Sequence, residues 1–276
     1  PLSRPQSALS ANLGPHHTQI GTLTPAPSTS TSSVTHPQFE PATYKQAMES
    51  AEADLWQTAI EEEMEALLSL QVFDPLTLPP HTRPIPTKWV FKLKVGPSGE
   101  VIRHKARLVV CGFMQVDGVD VDETYAPVSK YATLRFMVSH CCAAKIDITH
   151  LDIKTAFLNA PLEEDVWCKP PSGIHLPKGT MWKLNRALYG LKQAPRAWNL
   201  ILAKTLLQLG FTPSTSDPCL YILVTPSGSK IFMNTSVDDL FLSANPSPDK
   251  YAVLARLPDL FAITDPALLT VTLSTD

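Results

Sequence analysis

The spacing of apolar residues is helical between Tyr44 and Leu68 and alternating beyond Pro75. In the first region, apolar side chains recur every three or four positions, and acidic residues take most of the places between them. The apolar positions are Ala47, Ala51, Leu55, Ala59, Met64, Leu67 and Leu68. This pattern predicts an amphipathic helical segment, and its acidic run predicts a solvated face.

The alternating region predicts a β-hairpin. Apolar residues occupy every second position from Trp89 to Val95, the turn Gly96–Gly99 follows, and Glu100–Cys111 forms the second strand. If the four turn residues form the loop, Lys92 lies opposite Arg103 and Lys88 lies opposite Arg107. Like charges directly across a strand pair destabilise it, so this basic stripe favours a phosphate-binding surface over a merely soluble face.

Basic residues are concentrated in two segments of a chain whose formal net charge is −3. Between Arg83 and Arg107 there are seven Lys or Arg residues, and Glu100 is the single acidic residue. The second segment, from Lys178 to Lys204, contains no acidic residue. It includes a predicted helix that starts near Pro195 and ends before Gly210. The N-terminus of that helix is a candidate phosphate contact.

Composition limits the class of protein. The chain has 276 residues, of which 44% are hydrophobic, so it can bury a core and is neither fully disordered nor collagen-like. Residues 1–43, rich in Ser, Thr and Pro, predict a disordered linker. No stretch approaches the roughly 20 apolar residues of a membrane span, and no signal-peptide pattern opens the chain. The sequence therefore predicts a soluble intracellular chain with no membrane contact. Because it begins at Pro1 and not at Met, it is expected to be either a processed product or a piece of a longer open reading frame.

Cysteine and histidine do not predict a zinc site. The five cysteines have no Cys-x-x-Cys or Cys/His spacing of the kind that encloses zinc, so they are expected to be reduced and mostly buried thiols.

Two acidic positions lie where apolar surroundings make a carboxylate costly. Asp152 is near the end of a predicted strand, Lys145–Ile153, and Asp238–Asp239 separate the predicted strand Lys230–Val237 from an apolar run. An Asp-Asp pair alone is equally consistent with simple turn chemistry. If Asp152 and Asp238 lie on neighbouring strands, however, they could hold two divalent ions about 3.5–4 Å apart for phosphoryl or nucleotidyl transfer. Oxygen ligands favour Mg²⁺ or Mn²⁺.

Five segments, in this order along the chain, resemble the reverse transcriptase of copia-type LTR retrotransposons. They are Lys88–Lys94, Lys105–Val109, Glu123–Val128, Leu151–Asn159 and Leu188–Trp198. The resemblance implies an α+β right-hand polymerase in which helices pack on antiparallel sheets. It implies an N-terminal helix and fingers in residues 44–145, a palm in 146–265, and a truncated or degenerate segment in 266–276, with the thumb incomplete or absent.

The resemblance also implies roles for individual residues. Asp152, Asp238 and Asp239 match the catalytic carboxylates, which would hold two Mg²⁺ or Mn²⁺ ions. Four residues match contacts to the incoming nucleotide, namely Lys105, Arg107, Phe157 and Gln193. Together with the basic segments, the resemblance predicts nucleic-acid contacts at Lys88, Lys92, Arg103, Lys192 and Arg196. The implied partners are an RNA template, a primer, dNTPs, and integrase and ribonuclease H domains outside this chain, in the cytoplasm and in virus-like particles.

Departures from the family pattern keep other hypotheses open. Ser236 stands in place of the tyrosine before the aspartate pair, Asn234 makes the preceding strand more polar, and Pro266-Ala267 replaces Leu-Gly. The first hypothesis is an RNA-directed DNA polymerase domain. The second is a degenerate, inactive remnant that still binds nucleic acid. The third, a nuclease or other two-metal phosphotransferase, fits the carboxylates but not the ordered motifs around them.

Overall fold

The computed structural model describes residues 39–263 and the backbone of a short strand at 267–268. The helices in this part are α1 Tyr44–Met48, α2 Ala53–Ser69, α3 Tyr131–Ala144, α4 Ala194–Gln208 and α5 Pro248–Arg256. The strands are β1 Phe73–Thr77, β2 Ile85–Val95, β3 Val101–Val110, β4 Ile148–Asp152, β5 Trp167–Lys169, β6 Thr180–Leu184, β7 Thr212–Pro213, β8 Leu220–Val224, β9 Lys230–Ser236, β10 Asp239–Ser243 and β11 Ala267–Leu268. None of the helices in the described ranges is both long and apolar enough to cross a bilayer.

Two of the predicted segments fall largely beyond the described ranges. The predicted linker, residues 1–43, lies outside them except for its last five residues, and the predicted C-terminal segment 266–276 lies outside them except for β11. At the described end of the predicted linker, Glu40 accepts a hydrogen bond from the Leu93 N–H at 2.9 Å. This residue is therefore attached to the hairpin.

The strands form two sheets. The first has the order β1-β6-β5-β2-β3 and the second the order β11-β4-β10-β9-β8-β7, and every strand pair except β2–β5 is antiparallel. The predicted α+β class with antiparallel sheets and packed helices is confirmed. The two sheets do not divide at residue 145, because β5 and β6 join the hairpin sheet. The boundary between fingers and palm stays a prediction.

The predicted hairpin forms, but the predicted register is wrong. Lys92 lies opposite Lys105, not Arg103, and Lys88 lies opposite Val109, not Arg107. The loop is longer than four residues because Val95 pairs with Val101 and leaves five residues between them, and a bulge shifts the pairing between Lys94 and Val95. The basic stripe persists in the new register, since Lys94 lies opposite Arg103.

The predicted N-terminal helical segment is two helices, α1 and α2. Trp56 is fully buried on α2 and packs edge-on against Phe91 of the hairpin, with ring centroids 5.2 Å apart. The acidic run is not simply a solvated face. Glu62 pairs with Arg103, and Glu63 accepts the Leu108 N–H at 3.1 Å, so the acidic side of α2 lies along β3.

The turn before α4 approaches β3 so closely that glycine is required there. Gly190 has φ +90°, and a Cβ atom at this position would lie 2.2 Å from the Val110 carbonyl oxygen. The Val110 N–H bonds to the Tyr189 carbonyl at 2.8 Å. These contacts fix Tyr189 and the start of α4 against the basic hairpin.

Candidate active site

The second sheet brings the predicted catalytic carboxylates together at one end. Asp239, the first residue of β10, lies directly opposite Asp152, the last residue of β4. Asp238 occupies the turn between β9 and β10, and its carbonyl accepts the Ile153 N–H at 2.8 Å. The two-ion hypothesis required Asp152 and Asp238 on neighbouring strands; β4 and β10 are neighbours, with Asp152 on β4 and Asp238 in the turn directly before β10.

A cleft of about 510 Å³ separates these carboxylates from the basic hairpin. Asp152 and Asp238, near the end of the second sheet, line it and are called its carboxylate side; Lys105 and Arg107 of the hairpin also line it and are called its basic side. Its remaining lining residues are Ala59, Glu62, Glu63, Ala66, Lys94, Arg103, Ala106, Ile153, Lys154, Thr155 and Tyr189. Strand alternation places Arg103, Lys105 and Arg107 on one face of β3, which explains why all three reach the cleft.

Both sides of the cleft carry charges that the fold does not fully compensate. Burial raises the pKa of Asp238 above its usual value, and the nearby Asp239 and Asp152 carboxylates raise it further, whereas Arg107 lowers it. Burial lowers the pKa of Lys105, and the neighbouring cations Arg107 and Lys94 lower it further. A cation beside Asp238 and an anion beside Lys105 would each relieve this cost.

Arg107 lies close to residues of three different segments. Its guanidinium carbon lies 5.5 Å from the centroid of the Tyr189 ring, and Tyr189 in turn packs edge-on against Phe157 with centroids 5.3 Å apart. Glu63 is close enough to Arg107 and Lys105 for both cations to lower its pKa, although burial raises that pKa overall. Arg107 is also close enough to Asp238 to lower its pKa. The guanidinium therefore connects the basic side of the cleft with the carboxylate side.

Asp239 does not line this cleft. Its Oδ1 lies 2.7 Å from Nε2 of His150, and the His150 ring stacks on Phe241 with centroids 5.0 Å apart.

Between residues 39 and 263, no three His, Cys, Asp or Glu side chains form a cluster that could hold a metal ion. The donor chemistry nevertheless suits a divalent cation, because Asp152 and Asp238 offer oxygen ligands in one cleft and burial raises the pKa of Asp238.

Most of the predicted nucleic-acid contacts are engaged in ion pairs. Lys92 pairs with Glu40, Arg103 with Glu62, Lys192 with Asp117, and Arg196 with Glu123. Lys88 is exposed on the same hairpin. Of these five cations, only Arg103 lines the cleft. Phosphate groups would therefore compete with carboxylates at four of the five positions.

Gln193 and Phe157, two of the predicted nucleotide contacts, do not line the cleft. Gln193 is 2% exposed, and its side chain accepts a hydrogen bond from the Gln115 amide at 2.9 Å. Phe157 is partly buried against the core and approaches the cleft through Tyr189. Their contact with a nucleotide stays a prediction.

Two polar side chains of β9, Asn234 and Thr235, form hydrogen bonds with neighbouring segments, although the buried Nδ2 of Asn234 has no hydrogen-bond partner within the described residues. Asn234 accepts a hydrogen bond from the Ser129 hydroxyl at 2.9 Å, and Thr235 donates to the Cys219 carbonyl at 3.3 Å. Ser236 and Val237 line a separate cavity of about 270 Å³ beside Trp198. These residues tie β9 to the segments on either side of it.

Sequence reasoning missed four residues of this region. Glu63 gave no signal beyond its place in an acidic run, and His150 lies two residues before Asp152 on the same strand. Tyr189 and Trp198 were within a family-like motif but were assigned no role. The pairing of distant segments, rather than local sequence, brings them to the site.

Comparison with known families identifies the chain. A family model described as reverse transcriptase (RNA-dependent DNA polymerase) matches residues 70–270. This chain belongs to the copia-type retrotransposon reverse transcriptase family. The resemblance inferred from the five sequence segments is thus confirmed.

The reverse transcriptase domain is also similar to segments of longer transposon proteins. It is 37% identical over 205 residues to a retrovirus-related Pol polyprotein from transposon TNT 1-94 of Nicotiana tabacum, a match that covers 74% of this chain and 15% of that protein. It is 33% identical over 251 residues to the Pol polyprotein from transposon RE1 of Arabidopsis thaliana, covering 90% of this chain and 17% of that protein. The chain therefore spans less than a fifth of the length of either relative.

Among solved structures, the domain matches a foamy viral protease-reverse transcriptase in complex with double-stranded DNA. The TM-score is 0.43 and the sequence identity is 13%, and the match covers 79% of this chain and 32% of that chain.

Proposed function

We propose that this chain is the fingers and palm of an RNA-directed DNA polymerase, which transfers a nucleotide from a dNTP to a primer 3′-hydroxyl. The observation that carries the proposal is the composition of the cleft, which Asp152 and Asp238 line together with Lys105 and Arg107. Polymerization requires cations at the reacting oxygens and a basic surface for the triphosphate. The two sides of the cleft offer places for both.

The carboxylates would hold the divalent ions. Asp152 and Asp238 would act as ligands of two Mg²⁺ or Mn²⁺ ions, and Asp239 would join them once it leaves His150. Bound there, the ions would lower the pKa of the primer hydroxyl and neutralise charge on the leaving pyrophosphate. In this assignment, residues 44–145 provide the fingers and 146–265 the palm.

The basic side of the cleft would bind the triphosphate. Lys105 and Arg107 would donate charge-assisted hydrogen bonds to its oxygens, and Tyr189 would hold the guanidinium of Arg107 in position. Phe157, behind Tyr189, would lie under the incoming sugar and disfavour a 2′-hydroxyl, and Gln193 would lie beside the nucleotide.

The wider surface would bind the template and primer. Because Lys92, Arg103, Lys192 and Arg196 already pair with carboxylates, phosphate groups must displace those carboxylates on binding. We therefore expect weak binding that depends strongly on salt concentration. In a complete polyprotein we expect an integrase before this domain and a ribonuclease H after it, acting in the cytoplasm within virus-like particles.

A second candidate function is nucleic-acid binding without catalysis. It is favoured by the position of the Asp239 carboxylate, which bonds to His150 rather than lining the cleft, and by Ser236 in place of the usual tyrosine. In such a remnant, the basic hairpin would still contact phosphate groups while the carboxylates would not support turnover.

Primer extension separates these candidates. The purified chain is incubated at low salt with Mg²⁺, dNTPs and a primer annealed to an RNA template, and template binding is measured in parallel. The proposal predicts primer extension that follows the template sequence and stops when Mg²⁺ is chelated. Template binding without extension would favour the inactive remnant. Cleavage of the template without extension would favour a two-metal nuclease.

A further inference from the structure

The turn that carries Asp238 contains a strained residue. Val237 follows β9 and has φ +54°, a left-handed conformation that β-branched residues rarely adopt. In two-residue hairpin turns, glycine or asparagine usually takes a position with positive φ. Such a conformation persists when surrounding contacts compensate for the strain.

Two hydrogen bonds from outside the β9–β10 hairpin hold this turn. The indole Nε1 of Trp198 donates to the Val237 carbonyl at 2.7 Å, and the Ile153 N–H donates to the Asp238 carbonyl at 2.8 Å. Trp198 is 2% exposed, and its ring packs edge-on against Phe261 with centroids 5.2 Å apart. A rigid side chain of α4 is thus attached to the residue immediately before Asp238.

We propose that Trp198 is a positioning residue, whose indole N–H holds the strained Val237 turn so that the Asp238 carboxylate stays in the cleft. The inference rests on the proposed polymerase function, in which Asp238 is a metal ligand. Without the indole donor, Val237 relaxes toward a negative φ and the orientation of the next residue changes. The cleft then loses the fixed separation between Asp238 and Asp152.

The chain provides a matched control for this role. Trp56 is also fully buried, and it also packs edge-on against a phenylalanine, Phe91, with centroids 5.2 Å apart. Its indole nitrogen makes no hydrogen bond within residues 39–263. Trp56 has one further ring contact, with His104 at 4.5 Å between centroids. Replacement by phenylalanine therefore reduces buried packing at both positions, but it removes a hydrogen bond to the turn only at Trp198.

Kinetics of the two phenylalanine variants test the proposal. For Trp198→Phe we expect the maximal rate of single-nucleotide incorporation to fall about tenfold, the loss corresponding to one buried hydrogen bond. The KM for dNTP and the affinity for primer-template should stay within about twofold of the wild type. Trp56→Phe should leave the rate within about twofold at a temperature where both variants are folded. Equal rate losses in the two variants would overturn the proposal.

A double-mutant cycle with Val237→Gly provides a second test. Glycine adopts positive φ without strain, so Trp198→Phe should have a smaller effect in the Val237→Gly background than in the wild type. Three quantities are measured for the wild type, the two single variants and the double variant: the incorporation rate, the equilibrium constant of unfolding and the affinity for Mn²⁺. Identical effects of Trp198→Phe in both backgrounds, by all three measurements, would show that the indole does not hold the turn. If the wild type incorporates no nucleotide, the polymerase proposal fails, and the unfolding and Mn²⁺ measurements still decide the role of Trp198.

Discussion

Asp239 lies directly opposite Asp152 across the β4–β10 pair, yet its carboxylate bonds to His150, with 2.7 Å between Nε2 and Oδ1. Residues directly opposite in a strand pair project to the same face, and two carboxylates there repel each other. His150 is two residues before Asp152, so it also lies on that face. Its diagonal contact with Asp239 gives that carboxylate a hydrogen-bond partner on the same face.

Replacement of His150 should therefore change the requirement for metal ions. His150→Phe keeps an aromatic ring on Phe241 but removes Nε2, which leaves Asp239 available as a ligand. We expect the Mg²⁺ concentration for half-maximal incorporation to fall by about two- to fivefold, since one competing hydrogen bond is lost. The matched control is His140→Phe, because that ring stacks on Phe136 at 6.1 Å. A higher Mg²⁺ requirement in His150→Phe would mean that His150 orients Asp239 for the metal.

Strands and turns, which depend on residues close in sequence, were predicted better than contacts between segments far apart in the chain. The strand that ends at Asp152 and the turn at Asp238 were predicted from apolar runs that aspartate residues interrupt. Both are present in the fold. The register of the hairpin was wrong because a longer loop and a bulge at Val95 cannot be read from alternation alone. The place of Glu63 in the cleft depends on how α2 packs along β3, which no local pattern encodes.

Lys105 and Arg107 should determine the affinity for dNTP. Each replacement by glutamine should raise the KM for dNTP about tenfold or more, because each removes a charge-assisted hydrogen bond to the triphosphate. The maximal rate should change less than KM. Steady-state incorporation measured against dNTP concentration gives both constants, with the exposed Lys230→Gln as control. An unchanged KM would mean that these two cations only support the hairpin.

Ionisation of the Glu63 carboxyl should lower the free energy of unfolding of the chain. Burial raises its pKa above the ordinary 4.5, so the folded chain binds more protons than the unfolded chain in the pH range above that value. The stability that the protonated Glu63 carboxyl contributes is therefore lost as the pH rises through the pKa that Glu63 has in the folded chain. Glu63→Gln keeps an oxygen acceptor for the Leu108 N–H, so near pH 7 it should have a larger free energy of unfolding than the wild type.

Urea unfolding at about pH 7 and about pH 4 measures this difference. The advantage of Glu63→Gln should shrink at the lower pH, where the wild-type carboxyl is protonated. The exposed Glu65→Gln serves as the control on the same helix. A Glu63→Gln variant that is less stable than the wild type near pH 7 would mean that attraction to Lys105 and Arg107 exceeds the cost of burial.

Gly190 should tolerate no side chain. A Cβ atom there would lie 2.2 Å from the Val110 carbonyl oxygen, and φ is +90°. We expect Gly190→Ala to lower the free energy of unfolding by about 3 kcal/mol or more, because the backbones of β3 and the turn must separate. Gly179→Ala is the control, since φ is +84° but nothing lies within 4 Å of the added Cβ. That change should cost about 1 kcal/mol, from backbone strain alone. Similar losses at both positions would show that the close approach adds nothing.

The most direct test of the account is whether the two cleft carboxylates are needed for turnover but not for binding. Incorporation on a primed RNA template with Mg²⁺ is compared for the wild type, Asp152→Asn, Asp238→Asn and the control Asp147→Asn, whose exposed carboxylate precedes β4. We expect Asp152→Asn and Asp238→Asn to lose at least about a hundredfold in rate while binding primer-template almost normally, whereas Asp147→Asn should keep both the rate and the affinity of the wild type. Wild-type rates in Asp152→Asn and Asp238→Asn would contradict the assignment of this cleft as the active site.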